Sequence, residues 1–141
     1  MKYPNLRRAV AAAAVLLFLG SLAACVGRAE ARTQTVHVRL HYSHFEPAHL
    51  SFPAGTTVTF VIHNADPIAH EFILGSAKVQ HRIETTAHPE HDGSVPGQIT
   101  VYPGQTRRTT YTFGKPGAVL LGCHEPGHYD YGMRGAVEVT R

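Results

Sequence analysis

Cys123, His128 and Met133 stand five residues apart within Leu121-Gly122-Cys123-His124-Glu125-Pro126-Gly127-His128-Tyr129-Asp130-Tyr131-Gly132-Met133. Pro126, Gly127 and Gly132 favour a compact loop there, and apolar, strand-like sequence lies on both sides. A thiol, an imidazole and a thioether at this spacing are metal donors gathered on one loop. Two imidazoles and a thiolate in a trigonal plane, with a weak axial thioether, make the arrangement preferred by a one-electron copper centre. A second histidine must then come from elsewhere. His70, in Asn64-Ala65-Asp66-Pro67-Ile68-Ala69-His70-Glu71-Phe72, is the candidate, with His63 its rival.

The Cys-x-x-x-x-His-x-x-x-x-Met pattern, with Pro-Gly just before the histidine and an apolar strand after it, resembles the C-terminal ligand loop of the cupredoxins. The long Cys-to-His spacing is most similar to the rusticyanin-, sulfocyanin- and auracyanin-like members. The resemblance runs from about Thr33 to Arg141, and the upstream Asn-to-His stretch and the C-terminal loop occur in the family's order. It implies one type 1 (blue) copper per chain, with His70, Cys123 and His128 as equatorial ligands and Met133 as the axial one. Many cupredoxins carry Asn or Ser directly after the first histidine, where the side chain donates to the thiolate; this chain has Glu71.

At 141 residues the chain accommodates one domain and an export segment. A positive start through Arg8, an apolar run over residues 9–19 and then Leu22-Ala23-Ala24-Cys25 read as a signal peptide over residues 1–25. That run is too short to favour a spanning helix. Leu22-Ala23-Ala24-Cys25 resembles a bacterial lipobox, which would acylate Cys25 and leave the protein membrane-anchored at the periplasmic face or cell envelope. The competing reading is ordinary cleavage after Ala31, which discards Cys25. Either route deprives Cys123 of a disulfide partner, and a lone thiol in an oxidising compartment is stable when buried or ligated. Residues 26–32 then form a short linker, and residues 33–141 the domain.

Lys2, Arg7 and Arg8 account for three of the thirteen basic residues, so ten remain against ten acids. Such a balance gives no one-sided basic field for nucleic acid. Eleven histidines are many for this length and point toward metal rather than charge.

Val36, Val38 and Leu40 alternate with His37, Arg39 and His41, the period of a half-buried strand. Residues 56–63, 69–74, 99–102, 106–113, 118–123 and 135–140 read as further strands, punctuated by Pro53-Ala54-Gly55, Pro103-Gly104 and Gly114-Lys115-Pro116-Gly117. With no convincing amphipathic helix, this predicts an all-β, antiparallel Greek-key β-sandwich. Its core is expected to contain Val38, Leu40, Val58, Phe60, Ile62, Phe72, Tyr111, Phe113 and Val137. Residues 75–97 lack strand periodicity and read as a surface loop insertion, as in exported copper-handling cupredoxins. Its His81, His88 and His91 are candidates for a secondary metal site. His124 is expected to face solvent, and His37 and His41 to be ordinary surface residues.

Four protein donors leave no open position for a substrate, and no catalytic residues stand out. The reading is therefore an exported single-electron carrier, the enzyme classes being set aside by what is missing. A multicopper oxidase needs further domains and His-x-His pairs, and a two-copper centre a second loop cysteine. Zinc accepts two histidines and a cysteine but gives the methionine no role. The alternative is a periplasmic copper-tolerance or copper-delivery protein using the same site and the histidine loop. Expected partners are redox or copper-handling proteins, with the chain itself a monomer.

Overall fold

The computed structural model describes residues 32–87 and 89–141. The signal peptide, the lipidation site Cys25 and the loop residue His88 lie outside the described residues. In chain order the elements are β1 (Arg32–His41), β2 (His44–Glu46), β3 (His49–Pro53), β4 (Thr56–Asn64), β5 (His70–Gly75), α1 (Ala77–Thr85), β6 (Gln98–Val101), β7 (Thr106–Phe113), β8 (Gly117–Gly122) and β9 (Arg134–Thr140).

Two sheets form the sandwich, ordered β2-β1-β4-β7 and β3-β9-β8-β5-β6. They are mixed rather than purely antiparallel as expected: β1 runs parallel to β4, and β3 parallel to β9. The cause lies in the path of the chain. After the β1–β2 hairpin it crosses to the other sheet as β3, so β4 re-enters the first sheet in the same direction as β1.

Alternation does the burying. Val38 and Leu40 on β1, and Val58, Phe60 and Ile62 on β4, turn inward to meet Phe72, Leu121, Val137 and Val139 from the second sheet. Phe60 and Phe72 pack with ring centroids 5.0 Å apart, and Phe45 meets Phe72 edge-on at 6.0 Å. Of the core expected from sequence, only Tyr111 is partly rather than fully buried.

All six residues of β5 are buried. This strand lies between β8 and β6, with the core on one face and α1 against the other. The period of two puts His70 on the core face with Phe72 and Leu74, and Glu71 on the face beneath the inserted segment.

That segment departs from the sequence expectation. Instead of a surface loop without a helix, it opens with α1, whose N-cap Ser76 accepts a hydrogen bond from the Val79 N–H at 3.4 Å. Gln80 and Ile83, one turn apart, are the buried residues of α1. An inward polar residue breaks the apolar period by which a helix is read from sequence.

Candidate metal centre

Two connections at one end of the sandwich build the site, one crossing between the sheets and one a hairpin within the second sheet. The first joins β4 to β5 and is organised by Asn64. Its amide nitrogen donates to the carbonyls of Ile68 (2.7 Å) and Val101 (2.8 Å), while its oxygen accepts from the Asp66 N–H (2.9 Å). A buried amide with these partners fixes where β5 begins, and hence where His70 lies. The second connection runs from β8 to β9. Cys123 N–H donates to the Met133 carbonyl at 3.1 Å, closing the loop at its base, and Met133 N–H donates to the His128 carbonyl at 2.9 Å. Gly127 and Gly132 hold φ of 81° and 103°, left-handed values that admit glycine at no steric cost.

The side chains of His70, Cys123 and His128 converge. His70 Nδ1 lies 3.3 Å from His128 Nδ1 and 3.9 Å from Cys123 Sγ, and Sγ lies 3.3 Å from His128 Nδ1. A trigonal ion with donor bonds of roughly 2.0–2.3 Å spans edges of about 3.5–3.8 Å, so the triangle has the size of a metal site. These three form the one cluster of at least three such donors among the described residues. Met133, 1% exposed, belongs to the same buried group as Cys123. His128 alone of the three clustered donors is partly exposed, at a shallow cavity shared with Tyr42, His44 and Met133.

Electrostatics suit the donors to metal rather than to charge. Burial pushes the Cys123 thiol up to about 12, against the opposing effect of the backbone N–H groups of Glu71 and Glu125. Without metal it therefore carries its proton at neutral pH, and metal entry must release that proton. Burial also holds His70 below its ordinary value, although Asp66 pulls the other way. A neutral imidazole is the form that ligates.

Glu71, the residue that departs from the family pattern, supplies its main chain: its N–H donates to Cys123 Sγ at 3.3 Å. Its carboxylate is buried, with Oε1 3.7 Å from His91 Nε2. His91 thus faces a neighbour of the centre, while His81 sits exposed on α1. Rival His63 is exposed and pairs with Thr106 Oγ1 at 3.0 Å. His37 is exposed as expected, but His41 is half-buried, with Nδ1 3.5 Å from Asp66 Oδ1.

His124 reverses its expected role. It points away from the Cys123 side, but that side is roofed by α1 rather than open to water. Its Nε2 donates to Gln80 Oε1 at 2.6 Å, and its Nδ1 lies 2.5 Å from Glu84 Oε2. Tyr129 stacks on the ring at 4.9 Å. Gln80 also donates through Nε2 to the carbonyls of Ile73 (3.0 Å) and Leu120 (3.1 Å), so one buried amide joins α1, β5, β8 and the metal loop. Gln80→Ala is expected to strip partners from buried polar groups and cost about 2 kcal/mol, measured by urea unfolding of metal-free protein. No sequence pattern marks this clamp, because its members lie forty residues apart; Asp66, four residues before His70, was the one detectable hint of a partner for that histidine.

A family model described as a cupredoxin-like domain matches residues 9–92, more than half of the chain. The chain belongs to the cupredoxin family. The matched stretch contains His70 and ends before the loop with Cys123, His128 and Met133, so that loop rests on its own geometry. Among curated relatives, the copper-resistant cuproprotein CopI of Rubrivivax gelatinosus is 36% identical over 97 residues, covering 67% of this chain and 59% of that protein. Auracyanin-B of Chloroflexus aurantiacus is 30% identical over 127 residues, covering 79% of this chain and 54% of that protein. The cupredoxin therefore spans less than two thirds of the length of these relatives. The solved structure of auracyanin B superposes with a TM-score of 0.62 at 28% identity, covering 77% of this chain and 89% of that one. Fold and donor set agree: the His70, Cys123 and His128 cluster beside Met133 fits a type 1 copper site.

Proposed function

We propose that this cupredoxin holds one type 1 copper ion at His70, Cys123, His128 and Met133 and transfers single electrons. The convergence of two imidazole nitrogens and one thiol sulfur on one compact triangle carries the reading. Copper supplies a one-electron couple, and a donor set of mixed softness accommodates both oxidation states. The protein's part is to hold the donors still. Asn64 fixes the strand that presents His70, the Cys123–Met133 hydrogen bond closes the loop, and the Glu71 N–H supports the sulfur. Partly exposed His128 offers a way out toward a redox partner protein. Purified protein should take up one equivalent of copper(II) and develop an intense thiolate-to-copper band in the red. A colourless one-to-one complex would sink the reading.

A second role, copper tolerance, is favoured by the name of the CopI relatives and by the histidines of the inserted segment. Deleting the gene should then lower growth in excess copper, and His81→Ala with His88→Ala should remove any second equivalent of bound copper. His91 is left intact in that variant because it faces Glu71. Unimpaired growth of the deletion strain leaves electron transfer as the role. The apolar N-terminal run supports export, and Leu22-Ala23-Ala24-Cys25 supports a lipid anchor in the cell envelope. Mass spectrometry should find a mature N-terminus at acylated Cys25; a free chain starting at Arg32 would refute the anchor.

A further inference from the structure

Asp66 accepts three hydrogen bonds. Oδ1 takes the Tyr42 N–H at 2.8 Å; Oδ2 takes the Ser43 N–H at 2.8 Å and faces His70 Nε2 at 2.9 Å. The carboxylate is 8% exposed. Two backbone N–H donors aimed one at each oxygen favour the ionised form of the carboxylate. An ionised carboxylate only accepts, so the proton of neutral His70 sits on Nε2. Nδ1, the atom turned toward Cys123 and His128, is left with its lone pair free.

The two N–H groups that anchor Asp66 come from an unusual turn. Tyr42 and Ser43 hold φ of 52° and 55°, left-handed values carried here by residues other than glycine. Each costs roughly 1–2 kcal/mol relative to a right-handed conformation, and turns of this kind ordinarily use Asn-Gly or Asp-Gly. In this conformation both N–H groups point at one carboxylate, so the hydrogen bonds to Asp66 offset the strain. The β1–β2 turn thus holds the acid, and the acid holds the histidine.

We infer that Asp66 is a positioning residue of the copper centre: it fixes His70 as the Nε2–H tautomer, aims Nδ1 at the metal, and favours copper(II) over copper(I) through its negative charge. This rests on the copper reading above. A carboxylate behind a ligating imidazole orients the ring and raises its basicity, and loss of such a partner typically costs 10–100-fold in metal affinity. The more highly charged ion feels that loss more strongly, so the effect appears in the reduction potential.

The test is Asp66→Asn, which keeps the size of the side chain and removes its charge. Copper(II) affinity is expected to fall 10–100-fold relative to copper(I), a rise in potential of about 59–118 mV at 59 mV per tenfold for one electron. Voltammetry and competitive titration of both oxidation states read it. An unchanged potential overturns the inference, even if the variant melts earlier, because a merely structural residue weakens both states alike. Wild-type protein gives a second measurement that needs no variant. Nitrogen-15 NMR of the metal-free and copper(I) forms should show His70 protonated at Nε2, with that proton slow to exchange. Protonation of neutral His70 at Nδ1, or rapid exchange at Nε2, overturns the inference. Failure of wild-type protein to bind copper defeats the copper reading instead, and the metal-free spectrum still decides whether Asp66 holds the tautomer.

Discussion

Cys123→Ser is expected to leave the protein colourless in copper(II) and to lose the tight one-to-one uptake of the parent. The colour depends on the sulfur, and a serine hydroxyl gives neither a comparable transition nor a soft donor for copper(I). The replacement also places a hydroxyl at a fully buried position beside apolar side chains, where the Glu71 N–H still reaches it. The fold is therefore expected to survive at a cost of about 1–3 kcal/mol. Among the histidines, His70→Ala should bleach the protein while His63→Ala leaves it blue, since only the former turns toward Cys123. A blue Cys123→Ser protein, or the reverse histidine result, would refute the ligand set.

Gly135→Ala should produce the largest loss of stability of any Gly→Ala replacement among the described glycines. A Cβ at Gly135 would lie 2.0 Å from the Ala48 carbonyl oxygen and 2.9 Å from its carbon. Both are backbone atoms and cannot swing aside as a side chain does. The start of β9 must part from the chain leading into β3, breaking the Ala136 N–H to Ala48 hydrogen bond of 3.0 Å. The cost is expected at or beyond the upper end of the roughly 1–3 kcal/mol typical of overpacking. Gly114→Ala is the control: nothing lies within 4 Å of the added carbon, and a change within about 0.5 kcal/mol is expected. Urea unfolding of the two variants beside the parent measures both, and equal stability would refute the crowding argument.

The donors on one loop were legible because their spacing is local: Cys123, His128 and Met133 need only a single hairpin to bring them together. Strands such as β1 and β4 were legible for a similar reason, since alternation is written residue by residue. His70 required pairing across the fold and was reached through the order of motifs rather than by any local rule. What stayed hidden depended on neighbours that no short window contains. The parallel pairing of β1 with β4 follows from β3 joining the opposite sheet. The face of His124 was read correctly as opposite to Cys123, but the missed helix turned that face from solvent into interior. Gln80 misled in the same way: a polar residue reads as surface, yet here it is 2% exposed and bonded on three sides.

Gln80 also sets where this chain tolerates surgery. An engineer trimming the domain would cut first at residues 75–97, a stretch without sandwich periodicity, and would thereby remove the helix that roofs His124 along with the amide that ties Ile73 to Leu120. Insertion points, affinity tags and new termini belong at the opposite kind of position, such as the exposed turn at Gly114-Lys115-Pro116, where no buried donor or acceptor is left behind.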